Sequence, residues 1–179
     1  MLFRSTTEIG ELATTQVAAL TGTQISTLTE TQVDALATTQ IAALTTTQAQ
    51  ALTATQLAAF ATTQLATLAT TQVAALSATA IGGLSTTEIA ALAPTQLAAL
   101  TATEIGGLGT LQVGALTQAQ IAGLTTTQIA GLSTTGIQAL TTTALAALGT
   151  DDVAALTTTE IAALRSEGHT SELQSPCNL

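Results

Sequence analysis

The chain has 179 residues, of which 46% are hydrophobic but only 1% aromatic, so a folded core has to consist of aliphatic side chains and alanine. This is not the composition of a disordered chain, which combines low hydrophobicity with high charge. The formal net charge of −9 comes from eleven carboxylates against two arginines. We expect no nucleic-acid partner, because almost nothing in the chain neutralises phosphate. The longest apolar stretches, such as residues 57–61, are far too short to cross a bilayer, so we expect no membrane insertion.

An eight-residue unit repeats from Ser5 to Leu164 without insertion or deletion, which makes 160/8 = 20 consecutive octads. The consensus is Thr-Thr-Thr-Gln-Ile-Ala-Ala-Leu, and residues 85–92 match it almost throughout. We number the positions 1–8 within an octad and the octads 1–20 along the chain. A repeat of this kind outweighs any inference from length, so residues 5–164 are predicted to form one single repeat array.

Each octad begins with the signature of a helix start. Sixteen of the 20 octads carry Glu or Gln at position 4, and 13 carry Ser or Thr at position 1. A hydroxyl followed three residues later by Glu or Gln forms a capping box, and the preceding Leu with the following aliphatic residue makes a hydrophobic staple. Pro94 stands at position 2, the first helical residue, where its missing N–H costs nothing.

The octads cannot join into one long helix, because eight residues leave a drift of about 80° per octad and the leucines would spiral around the rod. The fold predicted here is an all-α solenoid with one very short helix per octad. A β-solenoid is the alternative, since Thr, Ile and Val favour strands. Strand alternation would place the aliphatic residues at positions 5 and 8 on opposite faces, whereas a helix places them on one.

A single octad cannot fold alone, so stability has to come from stacking. We expect positions 5 and 8 to line a continuous interior, with Thr and Gln facing water. Ala49 and Phe60 are conservative departures at these interior positions, and Leu111 adds local apolar surface. Glycines before the closing leucine are predicted either to end the helix in a left-handed turn or to allow close contact with the next coil.

Three octads lack any carboxyl or amide side chain for the capping box, because they carry Ala80, Gly136 or Ala144 at position 4. We expect these octads to be softer than the rest, since their first turn is only half capped.

The repeats contain few side chains that could take part in catalysis or bind a metal ion. They contain no His, Cys, Lys, Arg, Tyr, Trp or Asn, and their carboxylates are Glu8, Glu11, Glu30, Asp34, Glu88, Glu104, Asp151, Asp152 and Glu160. A hydroxyl without an activating base is a poor nucleophile. The close pairs Glu8 with Glu11 and Asp151 with Asp152 could suggest a glycosidase-like site or a weak calcium site, but further ligands are missing. We predict no enzyme activity, and no catalytic, cofactor-binding or metal-binding residues.

Both ends depart from the repeat. Residues 165–175 resemble the conceptual translation of a common short-read sequencing adapter, and residues 1–5 resemble the reverse-complement end of such an adapter. We interpret 1–4 as an adapter-derived head and 165–179 as an adapter-derived or disordered tail. The array is then expected to be a fragment of a longer repeat protein.

The Thr-Thr-Gln-Ile-Ala-Ala-Leu unit resembles repeat regions in large secreted or surface-attached bacterial proteins of the adhesin type. The resemblance implies a non-catalytic spacer or stalk at the cell surface or outside the cell. Its partners would be neighbouring repeats of the parent chain and, through lateral contacts, other proteins. Two alternatives remain open. Rows of Thr could order water or ice, or the solenoid could present a protein-binding groove, although the departures from consensus look scattered.

Overall fold

A computed structural model describes residues 5–164, and the segments 1–4 and 165–179, interpreted above as adapter-derived, lie outside the described residues. Every octad forms one short helix of four to six residues in α1 to α19, followed by α20 at 158–164. The helices are α1 Thr6–Gly10, α2 Thr14–Ala18, α3 Gly22–Ser26, α4 Glu30–Asp34, α5 Thr38–Ala42, α6 Thr46–Gln50, α7 Ala54–Ala58, α8 Thr62–Leu65, α9 Thr70–Val73, α10 Ala78–Gly82, α11 Thr86–Ala91, α12 Pro94–Leu97, α13 Ala102–Gly106, α14 Thr110–Gly114, α15 Gln118–Gly123, α16 Thr126–Ile129, α17 Thr134–Ala139, α18 Thr142–Leu145 and α19 Thr150–Ala155.

The capping box predicted from the repeat starts these helices. In α11 the Ser85 hydroxyl accepts a hydrogen bond from the Glu88 amide at 3.3 Å, and Glu88 Oε2 accepts one from the Ser85 amide at 2.6 Å. The cap residue is extended, so the chain changes direction before each new helix. Pro94 occupies the first helical position of α12. Residues 5–164 contain no strand, so the all-α prediction is confirmed and the β-solenoid alternative is wrong.

The helices stack into a solenoid in which each helix packs against the third helix after it, as α12 packs on α15 and α13 on α16. The cross-coil hydrogen bonds join residues 28 to 31 apart, and 28 residues are three and a half octads. One coil of the solenoid therefore contains about three and a half octads. As a consequence, octads in adjacent coils are offset by half an octad.

The interior is built as predicted from positions 5 and 8. In octads 1–17 the residue at position 5 is at most 1% exposed, and the closing residues from Leu28 to Leu140 are at most 8% exposed. Phe60 and Ala49 are buried in the same interior, which confirms that they are core substitutions. Leu111 is 79% exposed and adds apolar surface, also as predicted. Among the described residues no helix is long and apolar enough to span a membrane.

The expectation that glutamine faces water is wrong. Ten glutamines at position 4 are buried, at 9% exposure or less, whereas Thr at positions 1 and 3 is mostly exposed. The buried ones are Gln32, Gln40, Gln48, Gln56, Gln64, Gln72, Gln96, Gln112, Gln120 and Gln128. A buried amide has to have hydrogen-bond partners, and the partners lie in the preceding coil.

The left-handed turn proposed for the glycines is also wrong. No residue among those described has a positive φ, and Gly83 and Gly107 have φ of −79° and −80°. In α11, α15, α17 and α19 the helix instead ends at an extended residue at position 8, as at Leu92, where φ is −65° and ψ is 137°. The second prediction, close contact with the next coil, is confirmed at several glycines, as described below.

Candidate functional site

The glutamine at position 4 joins two coils through the two ends of its amide. In octad 7, Gln56 Oε1 accepts a hydrogen bond from the Thr53 amide at 3.0 Å, which completes the capping box. Gln56 Nε2 donates to the carbonyls of Ile25 and Leu28, both at 2.8 Å, in octad 3. These carbonyls lie at the end of α3, where helical carbonyls lack intrahelical donors. One side chain therefore caps the start of one helix and the end of another.

The same arrangement recurs wherever an earlier coil is present and position 4 is Gln. We call this set the glutamine ladder, and in each member Nε2 donates to carbonyls of the octad four places earlier. Its members are Gln40, Gln48, Gln56, Gln64, Gln72, Gln96, Gln112, Gln120 and Gln128. No buried side-chain nitrogen or oxygen among the described residues lacks a partner. The ladder thus satisfies its own amides and the helix ends that it reaches.

The ladder is interrupted where position 4 is not Gln. Ala80, Gly136 and Ala144 are buried and have no side-chain amide. Their octads therefore keep only the cap that the Ser or Thr hydroxyl makes. Glu104 Oε2 accepts from the Thr101 amide at 2.6 Å and from its hydroxyl at 2.9 Å, but a carboxylate has no proton to donate to the earlier coil. Octads 17–20 all lack Gln at this position.

Sequence reasoning missed this second role, although the sequence contains a signal for it. A capping box accepts Glu and Gln alike, because it uses only the side-chain oxygen. Position 4 nevertheless holds Gln in twelve octads and Glu in four. That excess is explained by Nε2, since only an amide can accept at one end and donate at the other.

A second contact between coils depends on small residues 29 positions apart. A Cβ on Gly83 would lie 2.7 Å from the Cβ of Ala54, and one on Gly131 would lie 2.7 Å from the carbonyl oxygen of Ala102. Position 7 of one octad therefore contacts position 2 of the third octad before it. Every Gly at position 7 has Ala or Pro 29 residues earlier, in the pairs Ala54 with Gly83, Ala78 with Gly107, Pro94 with Gly123 and Ala102 with Gly131.

Three of these four pairs bring the helices close together. A Cβ on Gly123 would lie 3.2 Å from the Cβ of Pro94, which is tight contact, as at Gly83 and Gly131. Around Gly107, by contrast, an added Cβ would meet only carbonyls of its own turn, Glu104 and Thr103, at 3.4 Å. The pairs of small residues 29 positions apart therefore allow a closer approach of neighbouring coils at three of the four pairs.

The acidic pairs singled out in the sequence do not assemble into a larger site. Glu8 and Glu11 are exposed at the first octad. Asp152 accepts hydrogen bonds from the Thr126 hydroxyl and the Gly149 amide, both at 3.0 Å, so it has a capping and coil-bridging role. Among residues 5–164, no three His, Cys, Asp or Glu side chains come together in a way that could hold a metal ion.

Shallow depressions occur on the solenoid surface, and one of them is lined mainly by hydroxyls. This one, of about 500 Å³, is bounded by Ser26, Thr29, Thr31 and Thr53, with Glu30 at its edge. Its hydroxyls have no basic side chain to activate them, because the repeats lack His, Lys and Arg.

Comparison with known proteins agrees with a repeat architecture. A family model, the ALTTAQ repeat, matches three overlapping stretches, residues 89–126, 103–134 and 129–166. No curated protein matches the chain, and neither does any solved structure. The matched residues lie in octads 11–20 and reach just beyond them. The chain is therefore a helical solenoid of tandem octads with a Thr- and Ala-rich repeat region similar to the ALTTAQ repeat.

Proposed function

We propose that this array is a non-catalytic structural module, a spacer or stalk segment of a larger bacterial surface or secreted protein of the adhesin type. The glutamine ladder is the observation that carries the proposal. Its hydrogen bonds connect octads four apart along the chain, from Gln40 to Gln128. Hydrogen bonds of this kind fix the spacing of neighbouring coils, as a rod that has to keep its length requires, and the ladder supplies them up to octad 16.

The geometry sets the expected length of such a spacer. Helices that pack on one another lie about 8–10 Å apart, so each coil adds about that much. The 160 residues of the array make 160/28, or between five and six, coils. The array should therefore span roughly 50 Å.

Fluorescence distance measurements on arrays of increasing length would test the spacer role. Arrays with the 20 natural octads, and with seven or fourteen octads added, would carry one dye at each end. Seven octads make two coils, so each addition should lengthen the separation by about 16–20 Å. A separation that grows with the square root of chain length, as in a flexible linker, would rule out a rigid spacer.

Exposure at the cell surface needs a separate test. Antibodies raised against the array should bind intact cells that express the parent protein, and added protease should remove this signal without lysis. Binding only after the cells are opened would contradict a surface or secreted location and leave the spacer role untouched.

The half-octad offset between coils gives little support to a water- or ice-ordering surface. The Thr residues at positions 2 and 3 of one octad lie beside positions 6 and 7, usually Ala, of the adjacent coil. Aligned Thr rows therefore recur only in every second coil. An assay of ice recrystallisation on the folded chain should accordingly show no effect at high concentration.

A further inference from the structure

The glutamine ladder is interrupted in the middle of the array by a carboxylate, Glu88. Its Oε2 accepts a hydrogen bond from the Ser85 amide at 2.6 Å, in the way that Gln56 Oε1 accepts one from the Thr53 amide at 3.0 Å. The Glu88 side chain is buried at 8% exposure, within the range of the ladder glutamines. Glu88 therefore occupies the place of a ladder glutamine, with one oxygen bound at the helix cap.

The other carboxylate oxygen, Oε1, corresponds to Nε2 of a ladder glutamine. Gln96, one octad later, donates through Nε2 to the carbonyls 31 and 28 residues before it, at 2.9 and 2.8 Å. The same separations lead from Glu88 to Leu57 and Phe60. Within residues 5–164, Oε1 of Glu88 accepts no hydrogen bond, and a carboxylate has no proton to donate. Ionised Glu88 therefore leaves the hydrogen bonds between octads 7 and 11 unmade.

The helices packed against α11 carry no ionisable side chain. Helix α11 contacts α8 and α14, its ladder carbonyls lie at the end of α7, and Gln120 of α15 donates to carbonyls of octad 11. The octads of these four helices, residues 53–68 and 109–124, contain no Asp, Glu, Lys, Arg or His, and neither do octads 10 and 12. Glu104, the next charged residue along the chain, lies on α13, which packs on α10 and α16. The charge of Glu88 therefore depends on the pH and on its own hydrogen bonds.

We propose that Glu88 makes the junction between octads 7 and 11 sensitive to acid, and that binding of a proton completes this junction. The protonated carboxyl group keeps one oxygen as the acceptor for the Ser85 amide and gains an O–H that donates to the carbonyl of Leu57 or Phe60. In the unfolded chain the same O–H has no such partner. Folding therefore takes up a proton at Glu88, so its contribution to stability is present in acid and is lost as the pH rises.

Acid acts on the other carboxylates as well. Glu104 Oε2 accepts from the Thr101 amide at 2.6 Å and from the Thr101 hydroxyl at 2.9 Å, and hydrogen bonds of this kind are strongest when the acceptor is charged. Lowering the pH therefore weakens such caps while it completes the junction at Glu88. A comparison of the parent chain with Glu88→Gln separates the two effects, because every other carboxyl group is the same in both.

Urea unfolding of the full chain and of Glu88→Gln tests the proposal. Both are measured at pH 7 and at the lowest pH, about 3, at which circular dichroism shows them folded; carboxyl groups are protonated there. At pH 7 the unfolding constant of the parent chain should exceed that of Glu88→Gln by about tenfold, because the amide adds two hydrogen bonds. In acid the ratio should fall to about threefold, because the O–H of Glu88 replaces one of the two N–H donors.

The matched control is Glu30→Gln, which removes a carboxylate from an exposed position. Its unfolding constant should stay within about twofold of the parent value at both pH values. A ratio for Glu88→Gln that does not fall in acid would overturn the proposal. So would a stabilisation of the parent chain by calcium chloride at pH 7 that Glu88→Gln abolishes, because a cation and not a proton would then join the two octads.

Discussion

At the scale of single residues, glutamine at position 4 is the side chain on which the solenoid depends most. Leu and Ile supply apolar burial that other apolar residues could replace, as Phe60 and Ala49 show. The amide of Gln56 is harder to replace, because it accepts from one backbone amide and donates to two carbonyls in a buried place. Two substitutions test this reasoning, and a third tests the close contact at a glycine.

Replacing Gln56 by Glu should destabilise the array by about 2–4 kcal/mol, since two donated hydrogen bonds are lost and a carboxylate is buried facing carbonyl oxygens. Gln16→Glu is the matched control, because Gln16 Nε2 has no partner among the described residues, and its effect should stay within about 0.5 kcal/mol. Urea unfolding at low protein concentration measures both. Equal losses in the two variants would show that the donated hydrogen bonds add no stability.

The converse change, Glu88→Gln, should stabilise the array. Residue 88 lies 31 and 28 residues after Leu57 and Phe60, the separations that the ladder uses. A new Nε2 can donate to both carbonyls, for a gain of about 1–2 kcal/mol. Glu30→Gln makes the same charge change at an exposed residue and should have almost no effect on thermal unfolding. If the melting temperature rose by a comparable amount in both variants, the loss of one negative charge, and not the new hydrogen bonds, would explain the added stability.

Gly131→Ala should destabilise the array by about 1–3 kcal/mol, because the added Cβ would overlap the Ala102 carbonyl unless the coils move apart. Gly82→Ala is the control, since nothing lies within 4 Å of a Cβ there. That change should be neutral or stabilising by up to about 1 kcal/mol, from helix propensity alone. Thermal unfolding measures both effects. A Gly131→Ala variant with the melting temperature of the parent chain would mean that the close contact is not required.

At the scale of the element, a helix of four to six residues is too short to persist alone. Its first turn is held by the local cap, and its last carbonyls are held by a glutamine from four octads later. Two neighbours in the array, the third and the fourth, therefore determine whether an octad stays folded. Octads that lack either hydrogen bond should open more readily than the rest.

Hydrogen exchange should show this difference along the chain. Octads 10, 17 and 18, with Ala80, Gly136 and Ala144 at position 4, should exchange faster than octads 5 and 8, which carry Gln at position 4 and also receive a glutamine at their helix end. Fast exchange is also expected in octads 13–16, 19 and 20, where no described glutamine covers the helix ends. Slowest exchange in octads 10, 17 and 18 would refute this account of local stability.

At the scale of the whole molecule, the solenoid is tolerant of changes in octad number and intolerant of changes in phase. Every octad makes the same kind of contact with its third and fourth successors, so removal of a whole octad lets the next one take its place. Removal of half an octad instead brings position 8 where position 4 belongs, which buries the wrong side chains.

Deleting residues 37–44 should therefore leave a helical, cooperatively unfolding protein, somewhat less stable because the array is shorter. Deleting residues 37–40 removes half as many residues but should lower both the helical signal and the melting temperature far more. Circular dichroism during heating compares the two deletions. If the four-residue deletion were tolerated equally well, stacking would not depend on octad phase.

The amino-acid sequence by itself determined the helix of each octad and the inward face made by positions 5 and 8. These features are local, because a capping box spans four residues and a helical face is defined by neighbours three apart. Only the tertiary structure decided the coil of about three and a half octads, the burial of Gln and the close contacts of glycines such as Gly83. Those depend on groups 28 to 31 residues apart, whose meeting is set by how successive short helices turn and pack. The excess of Gln over Glu and the small pairs at 29 residues were present in the sequence, but they acquire meaning only once that separation is known.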